Sequence, residues 1–213
     1  MTKPLHTAIV LNGPPNVGKD TLADIFIDNC PGAMKKQFKK QLYEDTMEEF
    51  GITRTVHQAE FMHRCTDRIS KEIAWHRLGD LSPRQALIHT SEYVIKPNQG
   101  KEYFGLAAAT ECLLSKAQVA IFSDGGFQAE IEPLKEIYKN VIIFRLHRDG
   151  CSFVGDSRTY LEGPAGADVH DLHLVDNEPG IAIYEIYITL SILLGQDADE
   201  FLSILEKTPE KSA

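Results

Sequence analysis

An apolar run, a glycine-bounded bend and a helical pattern follow one another near the start of this chain, and that order leaves few folds open. Ala8-Ile9-Val10-Leu11 reads as a buried strand, and Leu22, Ala23, Ile25 and Phe26 recur at helical spacing. Between them runs Gly13-Pro14-Pro15-Asn16-Val17-Gly18-Lys19-Asp20-Thr21. In that setting the pattern G-x-x-x-x-G-K is a phosphate-binding loop. Gly13 and Gly18 free the backbone, so that N–H groups around Asn16 and Val17 turn inward on polyphosphate oxygens. The helix start adds partial positive charge, and Lys19 reaches the outer phosphates. The loop predicts a nucleotide ligand.

One position departs from the usual pattern. Where Ser or Thr would hold magnesium, this chain has Asp20, with Thr21 one place later. A carboxylate is a hard-oxygen ligand for magnesium and suits the first turn of a helix. Two readings stand: Asp20 as metal or catalytic carboxylate, or Asp20 as a first-turn acid with Thr21 as the working hydroxyl.

Beyond the loop, a short strand is expected within 32–38, then a basic helix from Lys39 to Phe50. The segment of about 52–116 is helical in pattern, with helices expected at Asp67 to Trp75, at Pro83 to Ile95 with Ser82 as N-cap, and at Glu102 to Lys116 with Leu106, Ala109 and Leu113 inward. Pro97 to Gly100 reads as a turn. The βα rhythm resumes with strands at Val119 to Phe122 and Val141 to Phe144, and a helix from about Glu132 to Tyr138 that has Pro133 in its first turn. Residues of about 147–168 are polar and glycine-rich, in the place of a closing lid. A last strand at Asp171 to Val175, a covering helix at Ile181 to Leu194 and a short amphipathic helix after Asp197 complete the pattern. Strands that are apolar throughout and separated by helices predict an α/β fold of three layers, a parallel sheet covered on both faces. Ligands in such sheets bind at the carboxyl ends of the strands, where the loop, Asp124 and the Arg145–Arg148 segment all fall.

At 213 residues, with 43% hydrophobic and 25% charged, the chain suits a single domain with a helical insertion. Its formal charge of −9 opposes non-specific binding to a nucleic-acid polymer. Basic residues nevertheless cluster at Lys35, Lys36, Lys39 and Lys40, and at Arg145, Arg148 and Arg158. The four scattered cysteines form no C-x-x-C pair and read as reduced thiols. No run is read as the ~20 apolar residues of a membrane span. Met1-Thr2-Lys3-Pro4 lacks the apolar region of a signal peptide, so a cytoplasmic protein is expected, as monomer or homodimer.

The chemistry is narrowed by what is missing. A guanine-specific N-K-x-D motif is absent, and Asp124 is followed by Gly125 and Gly126 rather than by a glutamate that would polarise water. That suits transfer of phosphate to an acceptor without loss to hydrolysis. Such transfer needs charge neutralised around the moving group. Lys19 and magnesium supply part of it, and lid arginines supply more, Arg148 ahead of Arg145 and Arg158 by position. Arg84, a cation in a helix's first turn, opposes the local dipole and is read as meeting an anion. Trp75 is read as a core residue.

These residues resemble the deoxynucleoside monophosphate kinases of bacteriophages. The resemblance rests on Gly18-Lys19-Asp20-Thr21, on Ser82-Pro83-Arg84-Gln85, on Gly100-Lys101-Glu102-Tyr103-Phe104, on Ser123-Asp124 followed by Phe127 and Glu130, and on Asp171 to Asn177. It implies a fold of the phosphate-loop kinase type, ATP and magnesium as cofactors, and transfer of the γ-phosphate to a deoxynucleoside 5′-monophosphate in the host cytoplasm. Arg84, Gln85 and Lys101 would line the acceptor site, and Asp124 would help hold magnesium or orient the acceptor phosphate. In one place the chain departs: Gly126 stands where the family tends to carry an arginine. Either another basic residue, such as Arg68 or Lys36, then grips the acceptor phosphate, or the acceptor differs. Other small-molecule kinases, of the dephospho-coenzyme A or phosphomevalonate type, and a non-catalytic nucleotide-dependent regulator are the alternatives.

Overall fold

The structure, a computed structural model, describes residues 4–156 and 158–207. Five strands, β1 (Leu5–Asn12), β2 (Ala33–Lys36), β3 (Val119–Phe122), β4 (Tyr138–His147) and β5 (Asp168–His173), form one sheet in the order β2-β3-β1-β4-β5. Every neighbouring pair is parallel. All eight residues of β1 are buried, as befits a central strand covered on both faces.

Side-chain alternation along the strands sorts two cores. Ile9, Leu11, Ile142, Phe144 and Leu146 face α1 (Lys19–Asn29), α8 (Pro179–Leu194) and α9 (Ala198–Leu205), where Leu22, Phe26, Ile186, Leu190 and Phe201 complete the packing. Ala8, Val10, Phe122, Val141 and Ile143 face α6 (Tyr103–Ser115) and α7 (Gln128–Ile137), against Ala108, Cys112, Ile131 and Leu134. The result is the expected three-layer α/β architecture.

Between β2 and β3 the chain runs through α2 (Lys39–Glu49), α3 (Thr55–Thr66), α4 (Pro83–His89), a π-helical stretch (Thr90–Ile95) and α5 (Lys96–Gln99) before α6. This segment has its own apolar cluster of Tyr43, Ile52, Phe61, Trp75, Leu78 and Ala86. Trp75 is core, as read. Ser82 caps α4 in a full capping box: its hydroxyl accepts from Gln85 N–H, and Gln85 Oε1 accepts from Ser82 N–H at 2.9 Å.

Several expectations are corrected. Asp67 to Trp75 holds only a three-residue 3-10 turn, Ser70–Glu72, and the long helix lies just before it as α3. The expected turn at Pro97 to Gly100 is helical up to Gln99. The helix widens to π ahead of Pro97, whose ring would otherwise press on the carbonyl a turn back. In α6 the inward face is Phe104, Gly105, Ala108, Ala109 and Cys112, while Leu106 and Leu113 are half-exposed. Small residues face inward because α6 packs tightly on α7: a Cβ on Gly105 would stand 2.3 Å from the Glu130 carbonyl oxygen. Pro133 lies inside α7, not in its first turn. The last strand is Asp168–His173 rather than 171–175. Finally, Pro179–Leu205 is long and apolar enough, at 27 residues and a hydropathy of 1.2, to cross a membrane by length and composition alone. In the fold its Ala182, Ile183, Ile186 and Leu190 pack in the core, and Ile181, Tyr184, Ile188 and Ile192 lie on the exposed side.

The β4–β5 loop, 148–167, contains no helix or strand among its described residues, and Ser157 of the expected lid lies outside them.

Candidate nucleotide site

The loop closes on itself through Lys19. Gly18 adopts φ +113, a conformation that side chains disfavour, and becomes the N-cap of α1. Asn16 sits at φ +65, and Val17, fully buried, anchors the bend. Lys19 Nζ donates to the carbonyl oxygens of Gly13 and Pro14, both at 2.7 Å. Burial, then the Arg158 charge, pulls the Lys19 ammonium down to about 8.

Asp20 heads α1 with an exposed carboxylate. Ser123 Oγ, at the end of β3, donates to its Oδ1 at 2.6 Å, and Lys35 Nζ lies 3.6 Å away. Burial alone would raise this carboxyl, but the Ser123 hydrogen bond and the Lys35 and Lys39 charges hold it below its ordinary value. Thr21 is exposed in the same first turn.

Asp124 turns the other way. Its Oδ1 accepts from Phe38 N–H at 3.1 Å and its Oδ2 from Lys39 N–H at 3.0 Å, so it ties the start of α2 to the end of β3. Burial pushes its carboxyl up, opposed by Lys39 and the two N–H groups. Glu130, buried in α7, is pushed up to about 8 by burial and then by Asp124.

A residue that the sequence reading passed over holds this end of the sheet together. Asn12, fully buried at the end of β1, donates to the carbonyls of Gly125 (3.1 Å) and Thr159 (3.3 Å) and accepts from Leu161 N–H (3.0 Å). The signal was present: an amide ends an otherwise apolar strand immediately before the glycine loop. Such a group, once buried, must find partners.

Cations gather across from the loop. Lys39 is held above its ordinary value: burial opposes its charge, but Asp124, Tyr43 and Asp20 outweigh burial. Lys71 is lowered by burial and then by the Arg84, Arg68 and Lys39 charges. Arg84 pairs with Glu72 at 2.6 Å and contributes to holding Asp156 down. Asp156 sits at about 2, chiefly through its hydrogen bonds to Arg158. Arg84 of the helical segment and Arg158 of the β4–β5 loop thus both bear on Asp156.

The other expected contacts are placed as follows. Arg145 pairs with its cross-strand neighbour Asp171, which also takes His147 Nε2 at 2.5 Å. Arg148 pairs with the exposed Asp176 at 2.6 Å. Lys36, buried in β2, is neutralised by Glu111 at 3.0 Å, beside Lys40 at 3.1 Å from the same oxygen. Arg68 is exposed near Lys71. Gln85 is occupied in the capping box. Lys101 is exposed in the turn before α6. Arg158 and Lys39 both bear on Lys19 electrostatically, whereas Arg148 is paired with Asp176.

Strand, glycine loop and helix, with Lys19 at the helix start, give this α/β fold the order and shape of a phosphate-binding loop. No family model matches the chain, and no curated protein matches it. Solved structures similar to it include a sugar kinase from Janibacter sp. HTCC2649 (12% identity, TM-score 0.47, covering 89% of this chain and 96% of that one). A gluconokinase from Sinorhizobium meliloti 1021 is similar at 12% identity and TM-score 0.41, covering 93% and 97%. Likeness of this degree leaves the chemistry to be argued from the side chains.

Proposed function

We propose that this chain transfers the terminal phosphoryl group of ATP to a deoxynucleoside 5′-monophosphate, releasing ADP and a deoxynucleoside diphosphate. The observation that carries this reading is that Lys39 and Arg158 are held beside the loop, Lys39 by its N–H to Asp124 and Arg158 against Gly126 in a stretch tied to Asn12, in a chain of net charge −9. One phosphate chain on the loop does not require a second set of cations contributed by two other segments. A second phosphorylated ligand does.

Bound ATP would replace the Gly13 and Pro14 carbonyls as partners of Lys19. An acceptor phosphate oxygen then attacks the γ-phosphorus in line, the bond to the β–γ bridging oxygen breaks, and ADP leaves with that electron pair. Lys19 offsets the charge of the moving group, and Arg84 and Arg158 align the acceptor.

Asp20 fits a magnesium ion: its carboxylate is exposed at the head of α1, and Ser123 orients one oxygen. Asp124, whose two oxygens already take backbone N–H groups, is better suited to fixing Lys39. Among the described residues no group of three or more His, Cys, Asp or Glu could hold a metal. An ion at Asp20 would take its other ligands from phosphate oxygens and water. Magnesium would neutralise phosphate charge there.

The test is an ADP-release assay with ATP, magnesium and a panel of deoxyribonucleoside and ribonucleoside monophosphates. Acceptor-dependent ADP formation that disappears in Lys19→Ala is expected. Tight ATP binding with no turnover on any monophosphate would sink the reading.

A further inference from the structure

Arg158 differs from the other arginines in where its stem lies. A Cβ on Gly126 would stand 2.4 Å from Arg158 Cδ and 3.0 Å from its Cγ, so the arginine occupies the space that any side chain at 126 would take. Beyond the stem, the guanidinium is gripped by Asp156 through Nε–Oδ1 at 2.8 Å and Nη2–Oδ2 at 2.6 Å. Its charge is felt by Lys19 on one side and by Asp124 and Glu130 on the other. The next residues, Thr159 and Leu161, are tied to Asn12, so the backbone beside the arginine is anchored to the end of β1. A cavity of about 440 Å³ opens between Gly126, Phe127 and Gln128 and the stretch from Thr159 to Gly163.

A guanidinium held in fork geometry by a carboxylate is pre-aimed for a phosphate, which offers the same paired oxygens. Arg84 of the helical segment also bears on Asp156, so the Asp156–Arg158 pair lies within electrostatic reach of that segment as well as of Lys19. We propose that Arg158 is the acceptor-phosphate ligand of the transfer reaction, that residue 126 is glycine to admit its stem, and that Asp156 holds its guanidinium until the acceptor phosphate displaces the carboxylate. The assignment rests on the phosphoryl-transfer reading above.

Kinetics with saturating ATP–magnesium and each of the four common deoxynucleoside 5′-monophosphates test it, with ATP affinity measured separately by calorimetry. Loss of a charged hydrogen-bond pair predicts that Arg158→Met raises the acceptor KM by roughly tenfold or more. ATP affinity should stay within about twofold, since the donor cradle is untouched. Arg158→Lys should recover part of the loss. Gly126→Ala should raise the acceptor KM in the wild-type background but add little to it in Arg158→Met, because the guanidinium that a displaced stem would misplace is already gone. An unchanged acceptor KM in Arg158→Met, or an equal fall in ATP affinity, overturns the clamp and leaves the kinase reading standing. Wild-type protein inactive on every monophosphate overturns both.

Discussion

Residues 13–21 build their cradle from one continuous stretch, whereas the cations facing it come from three places far apart in the chain: the start of α2, the helical segment and the β4–β5 loop. The cradle depends on local backbone geometry and a helix start. The facing side depends on how separately folded pieces meet, the helical segment around its own core and the loop through Asn12. Donor binding should therefore tolerate changes that acceptor binding does not.

The largest expected effect lies on the donor side. Lys19→Ala should lower turnover by roughly 10²–10³-fold while the protein stays folded, as judged by circular dichroism. Activity within a few-fold of wild type would remove the cradle from the chemistry.

Asn12→Ala would break the junction between the two sides. It leaves the Leu161 N–H and the Gly125 carbonyl without their partner, which costs about 1–3 kcal/mol and lowers Tm by several degrees. The acceptor KM should rise more than ATP affinity falls. Equal effects on both would mean that the loop serves the donor as well.

Two arginines sharpen the contrast further. Arg84→Ala should raise the acceptor KM by roughly tenfold and leave stability almost unchanged, because its pairing with Glu72 is half-exposed. Arg148→Ala should change neither KM by more than about twofold, its partner Asp176 being on the surface. Reversed results would restore Arg148 as the transfer-site arginine.

The smallest effects are in pH. Lys19 titrates at about 8 in the fold and at 10.5 when unperturbed. Between these values the unfolded chain binds the extra proton, so this group's contribution makes stability rise with pH from about 8 to 10.5. Glu130, raised from 4.5 to about 8, acts oppositely: the folded state binds the extra proton, and stability falls as pH rises through that window. Urea unfolding across pH should show the first slope flattened in Lys19→Met and the second in Glu130→Gln. A variant whose profile superimposes on wild type would show that its group titrates normally in the fold.

The strand, the glycine loop and the helix after it were legible because each is a local pattern, and so was the Ser82 cap, whose partners lie three residues apart. Period and propensity do not say which neighbour a side chain will meet. Hence the helix expected at Asp67 to Trp75 lay one element too late, and of the inward face expected for α6 only Ala109 is buried, Leu106 and Leu113 giving way to Gly105 and Ala108 where the helix closes on α7. The basic residues were visible as residues, but their partners can lie far off in the chain, as with Lys36 and Glu111, 75 positions apart.

By itself the amino-acid order determined a phosphate-binding bend between a buried strand and a helix, and the covered parallel sheet that carries it. Tertiary structure alone decided that Arg148 pairs with Asp176, that Gly126 yields its space to Arg158, and that Asp124 fastens α2. The physical reason is range: backbone conformation is set by adjacent residues, while charge pairing and close packing are set by which surfaces the completed fold brings together.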